Sequence, residues 1–105
     1  MTELPGQYLG VRKRFHKLYK AVESLGKAAR ESGPISTGTS HLIQLAAAAS
    51  IRSEGAVHSH ARRALKAGAT PEEVRHAVIL ITSTVGFPTV SAALSWVDDI
   101  IKECG

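Results

Sequence analysis

A chain of 105 residues, 44% apolar and only 5% aromatic, has the composition of one globular domain, residues 1–105, whose core is filled by alanine, leucine, isoleucine and valine. Its net charge of +4 is a scattered excess of lysine and arginine, without the wide basic patch, stacking aromatics or reading motif of nucleic-acid recognition. No apolar run approaches the roughly 18 residues of a membrane span, Met1 to Pro5 lack the regions of a signal peptide, and one cysteine, Cys104, excludes an internal disulfide framework and a CxxC redox motif. The expected address is therefore cytoplasmic, with neither nucleic acid nor membrane as a partner.

Glycine and proline divide the chain into about five helical segments. From about Gln7 to Arg30, Tyr8, Val11, Phe15, Leu18, Tyr19, Val22, Leu25 and Ala29 recur at three- and four-residue intervals and form one apolar stripe. Arg12, Lys13, Arg14, Lys17 and Lys20 make a solvated basic stripe opposite Phe15, Leu18 and Val22. Gly33-Pro34 ends this segment. Ser36 or Thr37 then caps a second helix through Leu42-Ile43-Gln44-Leu45 to roughly Arg52 by accepting bonds from free backbone amides.

After a break near Ser53 to Gly55, a third helix spans about Val57 to Ala67, with Gly68 as its left-handed C-cap. Thr70-Pro71-Glu72-Glu73 is the clearest local signal. Thr70 is the N-cap, Pro71 takes the first helical position, and Glu73 completes a capping box. The fourth helix continues through Ala77-Val78-Ile79-Leu80-Ile81 and stops at Gly86. Pro88 opens a fifth, with Val90, Leu94, Val97, Ile100 and Ile101 on its apolar side. The class is all-α.

The second and fourth helices are apolar on more than one face, as helices buried on several sides are. A domain this small buries only about two-thirds of its unfolded surface. Both facts predict contacts between subunits.

The stretch from about Gly33 to Trp96 resembles the carboxymuconolactone decarboxylase family, which includes the AhpD-like alkylhydroperoxidases. The resemblance is carried by Leu42-Ile43-Gln44-Leu45-Ala46, by His60-Ala61-Arg62-Arg63-Ala64-Leu65, by Ala67-Gly68-Ala69-Thr70-Pro71-Glu72-Glu73-Val74, and by Gly86-Phe87-Pro88. It implies an AhpD-like helical fold that assembles into a homo-oligomer, a trimer or hexamer.

The peroxidase branch carries C-x-x-C-x-x-x-H, with a relay glutamate on the preceding helix. Matched on His60, its cysteine positions are Ser53 and Ala56, and its glutamate position falls on His41. Peroxide reduction needs one thiolate to attack and a second thiol to resolve the sulfenic acid. Serine and alanine supply neither, and Cys104 lies on another element, so thiol peroxidase activity is not expected. The decarboxylase branch needs no cysteine and typically has a Gly-Phe-Pro segment like this one. It is the closer relative, although His76 stands where that branch commonly has a glutamate.

His60 is the first candidate for chemistry: imidazole titrates near neutrality and serves as acid or base. The alternative is a helix histidine bonded to a neighbouring carbonyl. His41 joins it as a second catalytic candidate across the pocket. Ser53, seven residues before His60, either hydrogen-bonds a ligand carboxylate or caps the third helix. Phe87 and Thr89 complete the substrate-binding candidates, because free amides near Thr89 and Val90 can receive a carboxylate. A plain tight turn is the alternative there.

Glu54 and His58 are four apart and form a surface pair. A metal site from Glu54, His58 and His60 is disfavoured, because residues two apart on a helix point to opposite sides and the HExxH spacing is missing. Glu72 and Glu73 are accounted for by capping and the helix dipole. Trp96 packs in the core or at a subunit interface.

No metal or cofactor is expected. The leading functional expectation is a cofactor-free lyase-type enzyme using acid–base chemistry on a small carboxylate or lactone. The alternative is a non-catalytic family member that binds a ligand or partner, and a weaker one is a degenerate alkylhydroperoxidase.

Overall fold

The computed structural model describes residues 6–104. Their elements are α1 (Gly6–Arg14), α2 (His16–Arg30), α3 (Thr37–Ser50), α4 (Glu54–Lys66), α5 (Pro71–Ile79), α6 (Thr82–Val85) and α7 (Phe87–Cys104). No strand occurs among the described residues. The chain forms two compact units, one ending at Ile35 and the other beginning at Ser36.

In the first unit the expected single helix is divided. Phe15 leaves helical geometry (φ −128°, ψ 57°) and separates α1 from α2, although the Phe15 amide still bonds the Val11 carbonyl at 2.9 Å. Cations lie over both neighbouring aromatic rings, Arg14 at 5.2 Å from the Phe15 centroid and Arg12 at 5.5 Å from that of Tyr19. No residue of α2 is buried.

The second unit holds the core. Ser36 caps α3, its hydroxyl accepting from the Thr39 amide at 3.2 Å. Between α4 and α5, Gly68 adopts φ 105°, the left-handed conformation that lets the chain leave α4. The capping box is complete: the Thr70 amide donates to the Glu73 carboxylate at 2.8 Å, and the Glu73 amide to the Thr70 hydroxyl at 3.1 Å.

In this unit two boundaries differ from the sequence reading. Helix α4 begins at Glu54, a turn before Val57, because Gly55 and Ala56 are accommodated in its first turn. The expected fourth helix breaks into α5 and α6, with Leu80 as the C-cap of the former. It ends at Gly86, whose φ 94° and ψ 155° are open to glycine and to little else.

Leu45, Ala48 and Ala49 of α3, Val57, Ala61 and Ala64 of α4, Val74 and Val78 of α5, and Val90, Ala93, Val97 and Ile100 of α7 form one buried cluster. Trp96 lies half-buried against it. Helices α3 and α4 pack most extensively. Their buried apolar side chains are mostly alanine, which keeps the side-chain layer between them thin. Exposed ion pairs tie α4 and α5 to α7, Arg62 to Glu103 at 3.2 Å and Arg75 to Asp98 at 2.9 Å. Solvated pairs of this kind add little stability.

Candidate functional site

The inward face of α3 is defined by His41, Leu45, Ala48 and Ala49. These positions recur at three and four residues, so a histidine at position 41 is carried into the core by the same register that buries Leu45. On α4 the buried series is Val57, Ala61 and Ala64. His60 lies three residues after Val57 and four before Ala64, at the edge of that face, and is half-buried.

The thin α3–α4 interface brings the two rings together. Nδ1 of His41 lies 3.3 Å from Nδ1 of His60, with ring centroids 5.5 Å apart and planes inclined by 34°. His41 is 4% exposed and is the one buried polar side chain among the described residues.

The chemistry of this contact follows from hydrogen-bond inventory. A nitrogen–nitrogen hydrogen bond requires one Nδ1 to carry a proton and the other to present a lone pair. Two imidazolium rings would point N–H at N–H. A hydrogen bond between the facing nitrogens therefore holds a single proton. One ring sets the tautomer and orientation of the other.

Ser53 occupies the N-cap position of α4, but its side chain makes no capping bond. Backbone geometry, not the hydroxyl, starts that helix. Phe87 opens α7 and is exposed. Thr89 lies in the first turn of α7 and its hydroxyl accepts from the Arg52 guanidinium at 3.0 Å. Arg52 is a residue that sequence reasoning passed over. It adopts φ 56°, the one non-glycine residue with positive φ among the described residues. Its only sequence signal is position, between two helices and next to Ser53. The Glu54–His58 pair is loose, at 3.9 Å.

Two clefts run along α3. One of about 350 Å³ lies beside the start of α3 and the α4–α5 turn, lined by Ser36, Thr37, Gly38, Ala67 and Gly68 among others. A second, of about 310 Å³, lies between α3 and α5 and is lined mainly by Leu42, Ile43, Ala46, Ala77 and Leu80, with Glu73 and His76 on its polar side. Neither is lined by His41 or His60. No group of three histidine, cysteine, aspartate or glutamate side chains is placed to hold a metal ion among the described residues. No described helix is long and apolar enough to cross a membrane.

The pattern of the carboxymuconolactone decarboxylase family matches residues 16–99, most of the chain. The chain belongs to that family. A carboxymuconolactone decarboxylase family protein from Legionella pneumophila, crystallised in its apo form, has the same fold: the TM-score is 0.73 at 26% identity, over 90% of this chain and 87% of that one. No curated protein matches the sequence.

Ser53 stands at the α4 N-cap, and Ala56 is half-buried in the first turn of α4. His60 and His41 are the two in contact. In this carboxymuconolactone decarboxylase-family chain the polar contact between α3 and α4 is made by His41 and His60, and Ser53 and Ala56 carry no thiol.

Proposed function

We propose that the protein is a cofactor-free, lyase-type enzyme acting on a small carboxylate or lactone, with His60 as the acid–base group and His41 as its partner. The 3.3 Å contact between their Nδ1 atoms carries this reading. His60 is the more exposed of the two and presents its other nitrogen to the substrate, while His41 faces its Nδ1. In decarboxylation the bond from carbon to the carboxylate breaks, carbon dioxide leaves, and the electron pair delocalises into an adjacent carbonyl. A proton from His60 then closes the carbon, and solvent restores it. Stabilising the imidazolium by a positioned neighbour is what a second neutral histidine contributes. Arg52, Ser53, Phe87 and Thr89 surround the start of α7 in this proposal and hold the substrate carboxylate.

The protein works as a cytoplasmic homo-oligomer, a trimer or hexamer. Large apolar side chains left exposed in both units, among them Leu25, Ile51 and Leu80, support that reading.

One observation favours a second reading, a ligand- or partner-binding protein without turnover. His41 is buried and neither cleft along α3 reaches the pair, which suits an internal clamp between helices. Carbon dioxide release and lactone opening by the purified protein, tested over a panel of γ-lactone carboxylates and β-keto acids, separate the two. On the enzymatic reading His60→Gln lowers turnover by about 10²–10⁴-fold with ligand affinity little changed. Turnover that is indifferent to His60→Gln, or absent throughout the panel, leaves the binding reading.

A further inference from the structure

Two helices of the second unit end in the same turn, built on different residues. After α4, whose C-cap is Ala67, the Gly68 amide bonds the Leu65 carbonyl at 3.1 Å and the Ala69 amide bonds the Ala64 carbonyl at 3.0 Å. After α3, whose C-cap is Ile51, the Arg52 amide bonds the Ala49 carbonyl at 3.0 Å and the Ser53 amide bonds the Ala48 carbonyl at 3.0 Å. Both are the paired closing bonds of a Schellman turn, in which the residue after the cap takes a left-handed conformation. Gly68 does so at φ 105° and Arg52 at φ 56°. A side chain there is strained where glycine is not. The turn itself therefore gives no reason for an arginine.

The reason lies in what the side chain reaches. Nη1 of Arg52 donates to the Thr89 hydroxyl at 3.0 Å, in the first turn of α7. A single hydrogen bond to a hydroxyl offsets little of the backbone strain. With Nη1 engaged, the Nε–Nη2 edge of the guanidinium is left as a planar two-donor fork. Among the described residues of its unit, Arg52 pairs with no carboxylate. Glu54, two residues on, has its carboxylate toward His58, 3.9 Å away. The Ser53 hydroxyl beside Arg52 caps nothing, and the leading amides of α7 add the positive end of a helix dipole.

We infer that Arg52 is the specificity-determining residue for the carboxylate of the ligand. Its Nε–Nη2 edge receives the two carboxylate oxygens, Thr89 holds the guanidinium in place, and Ser53 supplies one further donor. A guanidinium fork matches a planar carboxylate in two parallel bonds, whereas the corresponding amide offers one acceptor and no charge. The inference rests on the small carboxylate proposed above as ligand and names what selects it. It is independent of whether bond breaking follows.

Calorimetric titration of the full chain with two probe pairs tests it: γ-butyrolactone-γ-carboxylate with its primary amide, and levulinate with levulinamide. The carboxylates bind about 10–100-fold more tightly than the amides. Arg52→Gly reduces that preference to less than about 2-fold and, because glycine relaxes the turn, leaves the thermal midpoint equal or higher. Arg52→Lys keeps the charge without the fork and retains only part of the preference. If neither carboxylate binds, the carboxylate ligand and the role of Arg52 fail together. A preference that persists in Arg52→Gly overturns the role of Arg52 and leaves the carboxylate ligand standing. A midpoint that drops by more than about 2 °C in Arg52→Gly makes the side chain a structural tie to α7 and also overturns it. An Arg52-dependent preference in a protein without turnover supports the assignment and removes only the enzymatic reading.

Discussion

The contact between His41 and His60 can be weighed by a double-mutant cycle with leucine, which is close to histidine in volume and forms no hydrogen bond. A neutral hydrogen bond contributes a net 0.5–1.5 kcal/mol or so, whereas a buried group deprived of its partner costs about 1–3 kcal/mol. His60→Leu leaves the Nδ1 of His41, a side chain only 4% exposed, facing hydrocarbon. The expected loss is therefore in the upper range, about 2–3 kcal/mol. His41→Leu strands the half-buried His60, whose ring is nearer water, and is expected to cost less, about 1–2 kcal/mol. The double variant removes donor and acceptor together and falls well short of the sum, with a coupling of about 1–2 kcal/mol. Urea unfolding followed by circular dichroism, at one protein concentration because association stabilises the folded state, reads all four values. Losses that add to within about 0.5 kcal/mol, as they do for independent sites, would falsify the claim that the two nitrogens share a proton.

Two further outcomes are expected. Without cysteines at positions 53 and 56 the protein does not reduce an alkyl hydroperoxide with a dithiol donor, and turnover above background that survives Cys104→Ser refutes the argument from the motif. Gly86→Ala forces a side chain onto φ 94°, ψ 155° and lowers stability by about 1–3 kcal/mol, read as a fall in thermal midpoint. A change of less than about 0.5 kcal/mol shows that the α6–α7 turn rearranges freely.

What could be read without coordinates was local. The Thr70–Glu73 box, the Ser36 cap and the Gly68 exit each depend on residues within four positions of one another, and each stands where the residue pattern puts it. Periodicity likewise marked Val90, Val97 and Ile100 as one apolar side, and all three are buried. The break at Phe15 was not legible. Apolar spacing runs through it without a glycine or proline, and only backbone conformation records the interruption.

Ser53 shows the same limit at the site. Its residue type suits a hydroxyl cap, yet its hydroxyl makes no capping bond, because the chain enters α4 through an arginine at positive φ. Arg52 and Thr89 are 37 residues apart, and nothing in either neighbourhood announces their 3.0 Å bond. His41 and His60 were each recognisable as candidates on separate helices. That their Nδ1 atoms meet at 3.3 Å was decided by the alanines between α3 and α4, since the thickness of a packed side-chain layer is a property of two helices together and of neither alone.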